Sequence, residues 1–139
     1  MTIASDLLHH HIQTLVADNA HWQTLIADDL VWELPYAPTI GHPGRLSGRE
    51  EVMGFVTWFL GAVDDFRFFD LQVYACADPD VAVAEVKAEA RIKPTGRLYR
   101  QEYVVFLRAA GGKIAFLREY FNPVRAAQAM NAPIRDLAS

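Results

Sequence analysis

Apolar residues recur every three to four positions in the first part of the chain, which is the spacing of a helix with one buried face. Ser5 and Asp6 are good N-cap residues, and the pattern predicts a first helix that ends near Asp18, with Asn19 as its stop. A shorter second helix is predicted over residues 20–27. The apolar stripe of the first helix consists of Leu7, Leu8, His11, Ile12, Leu15 and Val16.

The next segment predicts a strand, a long loop and a third helix. Residues 30–34 are expected to form an edge strand, and residues 35–48 contain three prolines and three glycines without periodicity. A loop of this length is typical of a functional lid or rim. Ser47 precedes Glu50 by three positions, the spacing of a capping box, and the helix is predicted to end near Val63. Its apolar stripe contains Val52, Phe55, Val56, Phe59 and Leu60.

The remainder of the chain alternates with a period of two and predicts antiparallel strands joined by short turns. These strands are expected at residues 66–77, 81–93, 98–109 and 113–122. In 81–93 one face is small and apolar and the other is charged, so we interpret the charged face as the outer surface. A last helix is predicted to begin at Pro123 with Asn122 as its cap.

This order of elements predicts an α+β fold in a single domain over residues 1–139. The helices must cover one face of the sheet. A strongly twisted sheet of long strands curls around the helix that packs on it, which leaves an open-mouthed cone. We therefore expect a pocket for a small hydrophobic or cyclic organic molecule at the mouth.

Charge and cysteine usage narrow the possible partners. Seventeen acidic against thirteen basic residues give a net charge of -4, so neither nucleic acid nor a membrane surface is an expected partner. The single cysteine, Cys76, excludes an internal disulfide, and its apolar surroundings indicate a small core residue. The first residues do not resemble a signal peptide, and no apolar stretch approaches the ~20 residues that span a bilayer. A cytoplasmic location is the resulting expectation.

One C-terminal segment resembles a known family. Residues 117–124, Leu-Arg-Glu-Tyr-Phe-Asn-Pro-Val, together with Ala129, Met130 and residues 133–134, resemble the end of the phenazine-biosynthesis A/B proteins. These proteins are a branch of the SnoaL-like, NTF2-like superfamily, and the resemblance implies the NTF2-like cone fold. Weaker similarities are spread upstream at residues 32–35, 48–50, 58, 78–79, 85 and 99.

The resemblance also implies roles for particular residues. Glu119 matches the family glutamate that protonates a bound, cyclohexane-like amino ketone, and Tyr99 matches a family tyrosine. A histidine and a serine of the family's third helix correspond here to Phe55 and Phe59. In the related ketosteroid isomerases, a tyrosine, a base aspartate and a protonated aspartate carry the chemistry. Their positions hold approximately His11, Leu34 and Val104, so a standard steroid isomerase is not expected.

Alternation alone does not decide whether Glu119 points inward or lies at the surface beside Arg118. If it points inward, an apolar pocket would raise its pKa and keep it neutral. Tyr99 would then polarise the substrate. The expected substrate-binding residues are Trp58, Phe55, Phe59, Trp32, Tyr36, His42 and Tyr103, with Tyr36 and His42 at the rim.

Three functions from different classes fit these residues. The first is an enzyme that performs isomerisation, cyclisation, dehydration or condensation by acid/base chemistry, without a cofactor. The second is a non-catalytic module that binds a hydrophobic ligand or supports dimerisation, and the third is a scaffold whose side chains fill the cavity. No metal is expected, because the neighbouring residues His9, His10 and His11 point about 100° apart on a helix. The charged sheet face predicts a homodimer packed through its sheets.

Overall fold

The structure is a computed structural model that describes residues 1–136, and it contains helices packed on one side of a curved, mixed sheet. The helices are α1 (Ile3–Thr14), α2 (Asn19–Leu25), α3 (Gly48–Ala62) and α4 (Pro123–Met130). The strands are β1 (Ile26–Glu33), β2 (Arg45–Ser47), β3 (Val63–Ala75), β4 (Val81–Ile92), β5 (Leu98–Ala110) and β6 (Lys113–Phe121). A 3₁₀ turn, Ala37–Ile40, lies between β1 and β2.

The strands lie in the order β2-β1-β6-β5-β4-β3. The antiparallel meander of β3 to β6 confirms the prediction, and the sheet is mixed because β1 pairs in parallel with β6. The prediction of an edge strand at 30–34 is wrong. The short strand β2, which forms within the long loop, pairs with β1 and covers that edge. Three residues are too few to show a period-two pattern, so sequence analysis missed β2.

The first helices begin at different residues from those predicted. Thr2, rather than Ser5 or Asp6, caps α1, because Thr2 and Ser5 form a reciprocal capping box. The Ser5 amide donates to Thr2 Oγ1 at 3.1 Å and the Thr2 amide donates to Ser5 Oγ at 2.8 Å. Asn19 starts α2 instead of ending α1, and Asp18 caps it by accepting a hydrogen bond from the amide of His21 at 3.3 Å.

The N-cap of α4 matches the prediction, whereas the capping box predicted for α3 does not form. Ser47 precedes α3 as expected, but the predicted capping box with Glu50 is absent from this turn. The amide of Ser47 instead donates to Glu51 Oε2 at 2.6 Å, one residue further along. The prediction for α4 is confirmed, since Asn122 Oδ1 accepts hydrogen bonds from the amides of the second and third helical residues at 3.0 and 3.2 Å.

The concave face of the sheet forms the core together with α1. The predicted apolar face of β4 is buried, and its side chains are Ala82, Ala84, Val86, Ala88, Ala90 and Ile92. Helix α1 packs on β3, β4 and β5, where the short alanine side chains leave room for it. The interpretation of Cys76 as a core residue is wrong, because it follows the end of β3 and is only half-buried. Within residues 1–136, no helix is long and apolar enough to cross a membrane.

Candidate active site

A cavity of about 90 Å³ lies between the concave sheet face, α3 and α4. Its walls are mainly aromatic and aliphatic. The predicted site residues that line it are Glu119, Tyr99, Tyr103, Trp32, His42, Phe55, Trp58 and Phe59. The structure therefore brings together side chains from α3, β1, β5, β6 and the loop after β1.

Tyr36 is the exception among the predicted substrate-binding residues. Its side chain is 46% exposed and packs against Tyr120, with the ring centroids 5.5 Å apart, outside the cavity. Tyr36 caps the 3₁₀ turn, in which Ala37 and Ile40 take the inward positions and line the cavity. The assignment of Tyr36 to the rim is therefore corrected, because the turn directs its side chain to the outer surface.

The sheet register determines that Glu119 points inward. Glu119 pairs with Val105, which is buried on the concave face, while its neighbour Arg118 pairs with Phe106 on the convex face. Arg118 forms its ion pair with Glu33, at 2.8 Å between Nε and Oε1, so it does not neutralise Glu119. The surface alternative considered from the sequence is thus excluded.

Glu119 is a half-buried acid without a partner in the described structure. The part of its surface that stays accessible faces the cavity. Among residues 1–136, no side chain forms a hydrogen bond or ion pair with its carboxyl group. Burial raises the pKa of Glu119 to about 8, because the charged form loses its hydration. The carboxyl group is consequently protonated at neutral pH.

Two tyrosine hydroxyls lie next to this acid. The Oη atoms of Tyr99 and Tyr103 are 3.3 Å apart, and Gln101 Nε2 donates to Tyr99 Oη at 3.0 Å. Burial raises the pKa of Tyr99 to about 12 and raises that of Tyr103 as well, and the nearby charge of Glu119 contributes to both shifts. Both phenols therefore keep their protons at physiological pH and can donate hydrogen bonds.

Gln101 was not predicted as a site residue, although the sequence contained a signal for it. Tyr99, Gln101 and Tyr103 alternate along β5, so the same period of two that places the tyrosines inward also places the amide between them. Gln101 is only 1% exposed. A buried amide between two buried phenols needs several hydrogen bonds, which indicates a polar network at this end of the cavity.

Aromatic rings enclose the rest of the cavity in two contacting series. On one side His42 contacts Trp58, Trp58 contacts Phe55, and Phe55 contacts Trp32, with centroid distances of 4.7, 5.8 and 6.2 Å. On the other side, Phe59, Phe66, Phe68 and Tyr103 follow one another at 5.4, 4.8 and 6.1 Å. Phe66 and Phe68 were not predicted as site residues. These apolar rings offer a carboxylate no hydrogen bonds, which agrees with the raised pKa of Glu119.

His42 and Trp58 lie at the open end of the cavity. Trp58 is 43% exposed. Partial burial lowers the pKa of His42, and the positive charge of Arg135 lowers it further. His42 is therefore neutral at pH 7 and acts at the mouth as an uncharged ring.

The positions that correspond to the ketosteroid isomerase residues do not form that enzyme's site. His11 is buried outside the cavity lining, where its Nδ1 accepts a hydrogen bond from Trp22 Nε1 at 2.9 Å. Burial lowers the pKa of His11 to about 4, so it is neutral at pH 7. Leu34 lines the cavity, whereas Val104 pairs with Tyr120 on the convex face. In the described part of the chain, no three histidine, cysteine or acidic side chains are placed to hold one metal ion.

Fold and cavity define a small α+β protein with an apolar cavity on the concave side of its sheet, and comparison with known proteins identifies its family. The chain belongs to the SnoaL-like domain family, whose profile matches residues 9–117. It is 33% identical over 128 residues to an uncharacterized PhzA/B-like protein of Pseudomonas aeruginosa, and this alignment covers 91% of the chain and 89% of that protein. The resemblance to the phenazine-biosynthesis A/B proteins is thereby confirmed.

Solved structures show the same fold. A suggested isomerase from Bacillus subtilis superimposes with a TM-score of 0.84 at 26% identity, covering 96% of each chain. A phenazine biosynthesis-related protein from Pseudomonas aeruginosa superimposes with a TM-score of 0.81 at 20% identity, covering 97% of this chain and 85% of that one. Proteins described as NTF2-like share the arrangement, which confirms the predicted NTF2-like cone.

Proposed function

We propose that this protein is an enzyme that uses Glu119 as a proton carrier on a small cyclic or aromatic metabolite. The observation that carries the proposal is the carboxyl group of Glu119, which faces an apolar cavity without a hydrogen-bond or ion-pair partner among residues 1–136. In a protein with a purely structural role this group would only lower the free energy of unfolding, because burying a carboxyl group without a partner costs stability. Groups with strongly perturbed pKa values in pockets are typical of acid/base sites.

The chemistry follows from the protonation states. At pH 7 the Glu119 carboxyl group donates its proton to a carbonyl oxygen, an imine nitrogen or a leaving group of the bound molecule. The resulting carboxylate then accepts a proton from the substrate or from water, which returns the site to its starting state. Tyr99 donates a hydrogen bond that stabilises negative charge on the substrate as it develops. Isomerisation, cyclisation, dehydration and condensation each require such proton transfers in addition to the bonds that the substrate itself forms or breaks.

The known relatives support the same class of reaction. A phenazine biosynthesis-related protein shares the fold, and a suggested isomerase matches almost the whole chain. By the resemblance of the C-terminal motif, Glu119 and Tyr99 match the acid and the tyrosine of the phenazine-biosynthesis family. Phe55 and Phe59 replace two polar residues of that family, so we propose a more apolar substrate than the family's amino ketone.

A non-catalytic binding module is the second candidate function. The loss of the polar pair at Phe55 and Phe59 favours it, because fewer groups remain to act on a ligand. The scaffold alternative requires side chains that fill the cavity, and these two rings instead leave it open. Turnover of a bound compound distinguishes the enzyme from the binding module.

A thermal-shift screen with wild type and Glu119→Gln tests the proposal. The compounds are cyclic ketones, amino ketones, aromatic acids and steroid-like molecules, each at pH 5 to 8. A ligand at about 100 times its Kd adds ~2.7 kcal/mol to the free energy of unfolding. We expect a ligand whose binding depends on pH in wild type and not in Glu119→Gln, and whose turnover falls at least 100-fold in the variant.

The matched control for this screen is Glu102→Gln, an exposed position on the neighbouring strand β5. It should bind and convert the ligand as wild type does. Equal turnover by wild type and Glu119→Gln would show that Glu119 is not the proton carrier.

We also propose a homodimer that packs through the convex face of the sheet. Phe106 and Tyr120 contact each other on this face, with centroids 6.2 Å apart, and Val104 and Phe116 lie beside them. Light scattering should give the mass of two chains, and Phe106→Glu should reduce it to that of one chain by burying a charge in the interface. Val124→Glu, at an exposed position of α4, is the control and should remain dimeric. A monomeric wild type would rule out this dimer.

A further inference from the structure

The hydrogen bonds at the polar end of the cavity are fixed by one amide. Gln101 Oε1 accepts from the backbone amides of Asn122 at 2.7 Å and Glu102 at 3.0 Å. Gln101 Nε2 donates to the carbonyl oxygen of Asn122 at 2.9 Å and to Tyr99 Oη at 3.0 Å. If the side-chain amide were rotated by 180°, Nε2 would face the backbone amides of Asn122 and Glu102, and Oε1 would face the Asn122 carbonyl oxygen. Only the observed orientation is therefore compatible with its neighbours.

This orientation restricts the two phenols. Tyr99 Oη receives the proton of Gln101 and therefore cannot direct its own proton back toward the amide. The bond between Tyr99 and Tyr103 uses one of the two phenolic protons, whichever tyrosine donates. The other phenolic proton has no acceptor among residues 1–136 and is left on the side of the cavity.

Hydrogen-bond donors thus dominate the polar end of the cavity at neutral pH. One spare phenolic proton and the protonated carboxyl group of Glu119 are both available to a ligand. The described lining contains no lysine or arginine that could pair with an anion. An anionic group would lose its hydration there without compensation, and an ammonium group would find a carboxylate partner only if Glu119 released its proton inside the apolar cavity.

We propose that Gln101 is a positioning residue that turns the Tyr99–Tyr103 pair into a hydrogen-bond donor, and that the site selects small, uncharged ligands carrying a carbonyl or similar acceptor. This inference rests on the proposed function of the cavity and specifies its ligand.

Two compounds of the same shape test the inference. Cyclopentanone carries an acceptor where methylenecyclopentane carries a CH₂ group, so the ratio of their Kd values gives the net gain from the acceptor, and the change of that ratio in a variant reports on the donor. We expect wild type at pH 7 to prefer the ketone by about tenfold or more in NMR titrations. Gln101→Met should remove most of this preference while leaving the Kd for methylenecyclopentane nearly unchanged, because the phenolic proton is then free to turn away from the cavity.

A second set of variants separates positioning from a structural effect. Gln101→Met should have no further effect on the ratio in a Tyr99→Phe, Tyr103→Phe background, since the phenols through which it acts are gone. If Gln101→Met does not fold, Gln101→Leu replaces it, because leucine likewise lacks the donor for Tyr99. We expect the same loss of preference for the ketone.

Different failures identify different errors. Binding of both compounds with a ratio that is insensitive to Gln101, or equal weakening of both by Gln101→Met, would overturn the positioning role. Tighter binding of cyclopentylamine than of cyclopentanone at pH 7 would overturn the ligand class. Failure of every screened compound to bind, here and in the thermal-shift screen, would instead count against the proposed function.

Discussion

The free energy of unfolding should fall by roughly 3–4 kcal/mol through Glu119 alone as the pH rises from 5 to 8. The folded-state pKa of about 8 lies above the ordinary value of 4.5, so between these values the folded protein holds a proton that the unfolded chain releases. The contribution is therefore fully favourable below pH 4.5 and is lost as the pH rises through 8. Each pH unit in this window costs about 1.36 kcal/mol, and water at the cavity mouth reduces the total slightly.

Urea unfolding of wild type and Glu119→Gln at pH 5, 6, 7 and 8 measures this loss. We expect the difference between the two proteins to grow steadily in favour of Glu119→Gln, since glutamine cannot ionise. For a domain of this size the change corresponds to roughly 10 °C in Tm. Glu102→Gln, on the exposed side of β5, should follow wild type. Parallel curves for wild type and Glu119→Gln would mean that Glu119 is already ionised at pH 5.

His11 should produce the opposite effect at acid pH. Its folded-state pKa of about 4 lies below the ordinary value of 6.5, because the ring is buried and accepts a hydrogen bond from Trp22. Between pH 4 and 6.5 the unfolded chain therefore binds a proton at His11 that the folded protein does not bind. Stability is thus fully present above pH 6.5 and is lost as the pH falls through 4, by roughly 3 kcal/mol in total. Between pH 4.5 and 6.5 the changes that His11 and Glu119 cause in the free energy of unfolding have opposite signs and nearly cancel.

His11→Asn tests this prediction, since asparagine keeps an acceptor near Nδ1 and does not titrate. The variant is expected to be less stable at pH 7, because it loses ring contacts with Trp22 and Trp32. The decisive result is the slope: from pH 6.5 to 4 the free energy of unfolding of wild type should stay nearly constant, whereas that of His11→Asn should rise, because only the Glu119 effect remains. His10→Asn, at an exposed position of the same helix, should retain the wild-type slope. An unchanged slope in His11→Asn would show that the acid-side loss arises elsewhere.

The order of elements could be predicted because each depends on local pattern. The alternation in residues 81–93 predicted the buried face of β4, and Asn122 with Pro123 predicted the start of α4. Most of the site residues could be proposed because the C-terminal motif carries Glu119 and the aromatic residues of α3 follow a helical stripe. Strand β2 and the inner face of β3 were missed. β2 depends on pairing with a distant strand, and β3 is interrupted by irregularities at Asp65 and Asp70, which have positive φ.

The sequence by itself determined which segments are helical or extended, which faces are apolar, and which residues are chemically able to carry protons. Only the tertiary structure decided that Glu119 faces the cavity, because its direction depends on its register with β5 and on the ion pair of Arg118 with Glu33. The tertiary structure also placed Tyr36 outside and Gln101 against Tyr99. A pKa, a hydrogen-bond direction and a cavity all depend on groups from distant parts of the chain, and local spacing does not encode those distances.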